Sequence, residues 1–153
     1  MKLNFKKRRC FNNLSASLEN YLETIAALKK EKKYTRIGDI ARSLNVKSSS
    51  VNVAINFLAK NGFVIHERYG YVDLTEKGEK IALEVRTKHD ILYRFLNSLL
   101  FINGKTADEE ACQIEHLVGA ETIQRLKKLH TLLEENFFHK KEDVVSLKEY
   151  LEK

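Results

Sequence analysis

Proline is absent from all 153 residues, and only two cysteines and six glycines occur. Without proline there is no proline-rich linker, and neither a low-complexity segment nor an internal repeat is visible. Two thiols, Cys10 and Cys112, are too few for a disulfide framework, so each reads as a reduced thiol or a ligand. No apolar run approaches the ~20 residues of a membrane span. The stretch Met1 to Asn13 is basic but lacks the apolar core of a secretory signal, so a cytoplasmic protein with no membrane partner is expected. What is present is an ordinary globular balance, 43% apolar and 31% charged, rather than that of a disordered chain. The length suits one compact domain or two small units sharing a core.

Charge is unevenly distributed along the chain. The net charge is +6, yet Met1 to Asn13 holds five basic residues and no acidic one. Lys29 to Lys60 holds eight basic and two acidic residues, whereas Asp108 to Lys153 holds seven basic and eleven acidic. A polyanion partner is therefore expected for the front of the chain and not for its rear.

Periodicity supplies the elements. Ser17 is the expected cap of a first helix carrying Leu18, Tyr21, Leu22, Ile25 and Leu28 on its apolar face. A short second helix is expected over 36–44, ended by Asn45, which tolerates left-handed backbone. A third runs from Ser48 to Asn61 with Val51, Ile55 and Leu58 inward. Phe63 to Glu67 and Tyr71 to Leu74 are rich in β-formers and flank Arg68-Tyr69-Gly70, the pattern of a hairpin. Thr75 then caps a long helix to about Leu100, striped by Ile81, Val85, His89, Leu92, Leu96 and Leu99. Asn103-Gly104 reads as a break, followed by helices over about 108–118, 121–136 and 142–151.

A short helix, a tight turn and a longer helix, with a hairpin directly after, are the parts of a winged helix-turn-helix. Lys47, Ser48, Ser49, Ser50 and Asn52 cluster where the second helix of the pair would meet base edges and phosphates. Hydroxyls and terminal backbone N–H groups suit phosphate, and Asn can read adenine. Arg36 and the hairpin-tip Arg68 are expected phosphate contacts. A triple serine opening a helix is equally a cap with solvated neighbours. The basic arm from Lys2 to Arg9 reads as a minor-groove arm or an unstructured tail.

A second constellation lies at Cys112, Glu115 and His116. On one helix these stand at i, i+3 and i+4, and thiolate, carboxylate and imidazole on one face can hold a divalent transition metal. His89, alone among aliphatics, reads by itself as a satisfied core histidine.

Six segments together are similar to the diphtheria toxin repressor family of metal-dependent repressors. They are Ser17 to Ile25, Ile37 to Leu44, Ser49-Ser50-Val51, Leu74 to Ile81, Lys88-His89 and Glu110 to His116. The resemblance implies a mainly α fold, with a two-stranded wing on a winged helix-turn-helix and a helical dimerisation region. The implied organisation is a basic arm at 1–14, a DNA-binding unit at 15–75 and a connecting, metal-binding and dimerising region at 76–153. It further implies a metal held by Asn20, Glu23, His89, Cys112, Glu115 and His116. A cysteine at 112 resembles the iron-sensing branch and Glu23 the manganese-sensing branch, so Fe(II) is expected ahead of Mn(II). Asn20 matches neither branch. An SH3-like domain is not expected, and Tyr93 stands where an ancillary site would use a carboxylate, with Asp108 as a partial substitute. On the reading helix Val53 takes a position that is often polar. The function implied is repression of metal-uptake genes by a homodimer on a palindromic operator in double-stranded DNA. Two rival readings follow from the residues: a winged-helix regulator that senses no metal, with Cys112 as a redox thiol or core residue, and a metalloenzyme. The enzyme is disfavoured because no second acid–base constellation or Gly-rich loop accompanies the ligands.

Overall fold

A computed structural model describes residues 14–32, 34–67, 70–136 and 141–153. Arg68, and the basic arm with Cys10, lie outside the described residues. The chain divides into two compact units, residues 1–83 and 84–153.

The first unit begins with α1, Ala16–Glu31, two residues earlier than Ser17 suggests: Ser15 is the cap, and its hydroxyl accepts the Leu18 N–H at 3.4 Å. The basic end of α1 meets acid. Lys29 Nζ lies 2.8 Å from Asp73 Oδ1 and 2.9 Å from Glu79 Oε1, and these partners, Asp73 first, hold its ammonium above the ordinary lysine range. Next come β1, Thr35–Arg36, then α2, Ile37–Ser43, and α3, Ser48–Lys60. The turn between α2 and α3 uses Asn45 at φ 52°, the left-handed region that asparagine tolerates. Ser48 is the first helical residue and not the cap. That position belongs to Lys47, whose carbonyl accepts the Ser50 N–H at 2.9 Å.

Strands β2, Val64–His66, and β3, Tyr71–Leu74, form the expected antiparallel pair. The wing is nevertheless three-stranded, in the order β1-β3-β2, because Thr35 and Arg36 pair with Val72 and Tyr71. A two-residue strand has no alternation for a sequence to display, and its existence depends on partners 35 and 37 residues away that offer a free edge. The core of this unit gathers Leu22, Ile25, Ile40, Val51, Ile55 and Leu58, all fully buried. Helix α4, Glu76–Arg94, starts against it. Thr75 accepts the Gly78 N–H at 3.1 Å and donates to the Gly62 carbonyl at 2.8 Å, which fixes the start of α4 to the wing. The boundary between the two compact units falls two turns into α4.

In the second unit α4 does not simply run to Leu100. It passes into one π-helical turn, Phe95–Leu99, and the chain reverses with Phe101 at φ 55°. Asn103 is a cap where a break was expected: its side chain accepts the Lys105 and Thr106 N–H groups, starting α5, Gly104–Ile114. Helices α6, Ala120–Asn136, and α7, Lys141–Leu151, follow. Leu92, Leu96, Ala107, Ala111 and Ile123 form the core, with Val118 and Leu126 packed against it. No helix among the described residues is long and apolar enough to cross a membrane.

Candidate nucleic-acid interface and metal centre

Helix α3 buries Val51, Ala54, Ile55 and Leu58. At 100° per residue the opposite stripe is Ser49, Val53, Asn56 and Lys60, and all four are exposed. Ser48, Ser49 and Ser50 are likewise exposed, and no side chain caps this helix. Asn52 turns part of its amide inward on the helix, donating from Nδ2 to the Ser48 carbonyl at 3.0 Å. A reading confined to the serine cluster therefore misses Asn56 and Lys60. The signal that finds them is the complement of the apolar face.

Arg36 is held at the wing. Its Nη2 donates to Tyr71 Oη at 3.0 Å, and the guanidinium stands 5.0 Å from the Tyr71 ring centre. Tyr34 packs on the same ring at 4.9 Å. Asp39 accepts the Arg36 N–H at 3.3 Å and the Lys32 ammonium at 2.6 Å, and the latter above all keeps its carboxyl below the usual aspartate range. An exposed Arg36, held through its guanidinium from β3, is oriented without being neutralised.

In the second unit the expected ligands separate into two groups. Helix α5 ends at Ile114, but Glu115 keeps helical backbone and donates its N–H to Ala111 at 3.0 Å. That rotation carries the Glu115 side chain into full burial, 0% exposed. Two imidazoles converge on it: His89 Nδ1 lies 3.0 Å from Oε2, and His116 Nε2 lies 3.2 Å from Oε1. His89 Nε2 lies 3.1 Å from Asp108 Oδ1, and its ring stacks near that of Tyr93, 6.5 Å between centres. His89 is thus the buried, satisfied histidine expected, with a carboxylate at each ring nitrogen. Cys112, in contrast, is exposed on α5, which removes its reading as a packing residue. Asn20 and Glu23 stand one turn apart on α1, half-buried in the first unit. Among the described residues, no three His, Cys, Asp or Glu donors already surround a common point fit for a metal ion. The donor types suit one, and a buried carboxylate between two imidazoles supplies two kinds of first-row ligand. A cleft of about 380 Å³ opens beside His89, lined by Arg86, Tyr93, Lys105 and Asp108.

The apolar side chains within 117–132 also divide. Ile123 is buried, with Val118 and Leu126 packed around it, in the unit's own core; Leu117, Leu129 and Leu132 are exposed.

A helix-turn-helix with a wing, followed by a helical unit, defines a winged-helix DNA-binding regulator. The profile of the iron-dependent repressor N-terminal DNA-binding domain matches residues 13–72, and that of the iron-dependent repressor metal-binding and dimerisation domain matches residues 75–142. An uncharacterised helix-turn-helix transcriptional regulator of Methanocaldococcus jannaschii is 37% identical over 115 residues, covering 74% of this chain and 92% of its own. The transcriptional regulator MntR of Bacillus subtilis is 34% identical over 126 residues, covering 82% of this chain and 88% of its own. Among solved structures, the T. acidophilum IdeR crystal structure is similar at 35% identity with a TM-score of 0.67, covering 74% of this chain and 53% of that one. The chain thus spans most of the curated relatives it matches and about half the length of that solved chain. It belongs to the iron-dependent repressor family, a family of DNA-binding transcription regulators and not of enzymes.

Proposed function

We propose that the protein is a metal-responsive repressor of metal-uptake genes, a cytoplasmic homodimer that binds a palindromic operator when Fe(II) or Mn(II) is plentiful. The observation that carries this reading is the convergence of His89 and His116 on the fully buried Glu115, in the unit that follows the winged helix. Burying a carboxylate is costly unless its partners are well placed, and two imidazoles are partners that can also be ligands. Ligation uses an imidazole nitrogen without its proton. His89 and His116 would thus give up carboxylate contacts when an ion binds, and Glu115 would turn from acceptor to ligand. Exposed Cys112 completes the set by side-chain reorientation, and we propose Asn20 and Glu23 as further oxygen donors. A bound divalent ion supplies positive charge and a rigid cross-link, and it shifts the DNA-binding equilibrium only by its differential affinity for the two states.

On DNA, Lys47, Ser48, Ser49, Ser50 and Asn52 meet the major groove, while Arg36 and Arg68 contact phosphate. The two reading helices of a dimer would then be spaced by one helical turn, ~34 Å, or a multiple. The thiolate of Cys112 is softer than a carboxylate and favours Fe(II) over Mn(II).

The test is operator affinity without metal and with Mn(II), Zn(II) or anaerobic Fe(II). Metal should tighten binding in the unaltered chain, and Cys112→Glu should raise the relative response to Mn(II). His116→Ala should abolish the metal response while fold and dimer persist. Full metal dependence in His116→Ala contradicts the assignment.

A further inference from the structure

Helix α3 carries an apolar side chain where a DNA-reading helix has most use for polar ones. Val53 is 73% exposed, and Phe57, one turn later, is 47% exposed. A single exposed valine is unremarkable on a protein surface. This one lies at the centre of the stripe opposite the buried face, with Ser49 one turn before it and Asn56 and Lys60 after it. Among the described residues of the first unit, it is left largely open to solvent.

We propose that Val53 is a specificity-determining residue that reads the C5-methyl group of a thymine in the operator. The inference rests on α3 being the reading helix. Valine has no hydrogen-bonding group, so it cannot use the donor–acceptor pattern of a base edge. The one apolar feature of the major-groove edges is the thymine methyl. The side chain is short and its χ1 is nearly fixed in a helix, so it cannot reach aside to a phosphate or the sugar. It meets the base edge only where the helix axis sits deep in the groove, which the small Ser49 on the same stripe permits. A pyrimidine without the methyl leaves the two valine methyls facing water. Phe57 extends the apolar surface along the helix and directs the contact toward one side of the stripe. Ser49, Asn56 and Lys60 keep the polar and phosphate contacts around it.

The experiment uses the full chain with its activating metal. An operator is first selected from a random duplex library, and each thymine is then replaced singly by deoxyuridine, which removes only the methyl. At one or two positions per half-site, affinity of the unaltered protein should fall roughly three- to fivefold, the effect of one apolar carbon returned to water. In Val53→Ala, which a helix tolerates well, that uracil penalty should vanish while the other positions behave as before. Val53→Gln, selected afresh, should exchange thymine for adenine at the same position, since glutamine pairs with adenine N6 and N7. The inference is overturned if no thymine shows a uracil penalty, or if the penalty persists unchanged in Val53→Ala. Failure of the unaltered protein to bind any duplex under any metal would instead overturn the assignment of α3 as the reading helix, and this inference with it.

Discussion

Asp39 is a residue whose role is separable from metal and DNA. It closes the start of α2 by accepting the Arg36 N–H, and it takes the Lys32 ammonium at 2.6 Å. Because its folded carboxyl titrates below the ordinary value, its stabilising contribution is present above about pH 4. It is lost as pH falls through the lower folded value. Asp39→Asn should therefore destabilise the chain at pH 7 by about 0.5–1 kcal/mol, the range of a helix-start contact partly screened by solvent. The gap between the two proteins in urea denaturation should close progressively below about pH 4. A gap independent of pH would mean that the carboxylate charge plays no part. Much at this scale was legible in the sequence: the serine cluster, Arg36 and the Glu115-His116 pair were all recognisable from residue type and spacing. The partners of His89 were not, because Asp108 and Glu115 lie 19 and 26 residues away and only the fold of α5 brings them back. Nor was the exposure of Cys112. Positions three apart on a helix differ by 60°, and that difference is enough to bury Glu115 and leave the thiol in solvent.

At the scale of elements, the start of α4 is fastened to the wing with no room for a side chain. A Cβ on Gly78 would overlap the Phe63 carbonyl oxygen and touch the Leu74 side chain. The carbonyl is already fixed, since Phe63 O accepts the Thr75 N–H at 3.1 Å. Gly78→Ala should cost about 2 kcal/mol or more, at the upper part of the range for overpacking, and loosen β2 from α4. Gly38→Ala, in open space on α2, should instead be neutral or stabilising by up to about 1 kcal/mol, because alanine favours helix. Denaturation midpoints of the pair check both. Equal behaviour at the two glycines would contradict the packing described. Helix existence was readable throughout from 3.6-residue periodicity, while helix ends were displaced by a few residues. Ser15 took the cap from Ser17 because Leu14 is buried and fixes the entry of the chain. Asn103 proved to cap α5 because an asparagine before glycine can serve equally as a stop or a start. Strand β1 and the π turn at Phe95–Leu99 left no local signature, as each is defined by hydrogen bonds that periodicity does not record.

For the whole molecule, two apolar populations on α6 make dimerisation testable at particular residues. Ile123 and Leu126 belong to the second unit's own core, so substituting them reports on folding. Leu129 and Leu132 are exposed, 43% and 55%, and lie three residues apart on one face. Sedimentation should find a homodimer at tens of micromolar, and the double substitution Leu129→Asp with Leu132→Asp should shift it toward monomer while helical content is kept. A dimer undisturbed by both charges would move the contact elsewhere on the unit.

The central claim is that metal binding in the second unit and DNA binding by α3 are thermodynamically linked. Linkage is reciprocal: the factor by which metal tightens DNA binding must equal the factor by which DNA tightens metal binding. Metal affinity should be measured on the same preparation with and without a saturating operator duplex, using Mn(II) to avoid oxidation. The account predicts a gain of roughly 5- to 150-fold in metal affinity when DNA is bound, equal to the metal-induced gain in DNA affinity and absent in His116→Ala. Identical metal affinity with and without DNA would contradict it.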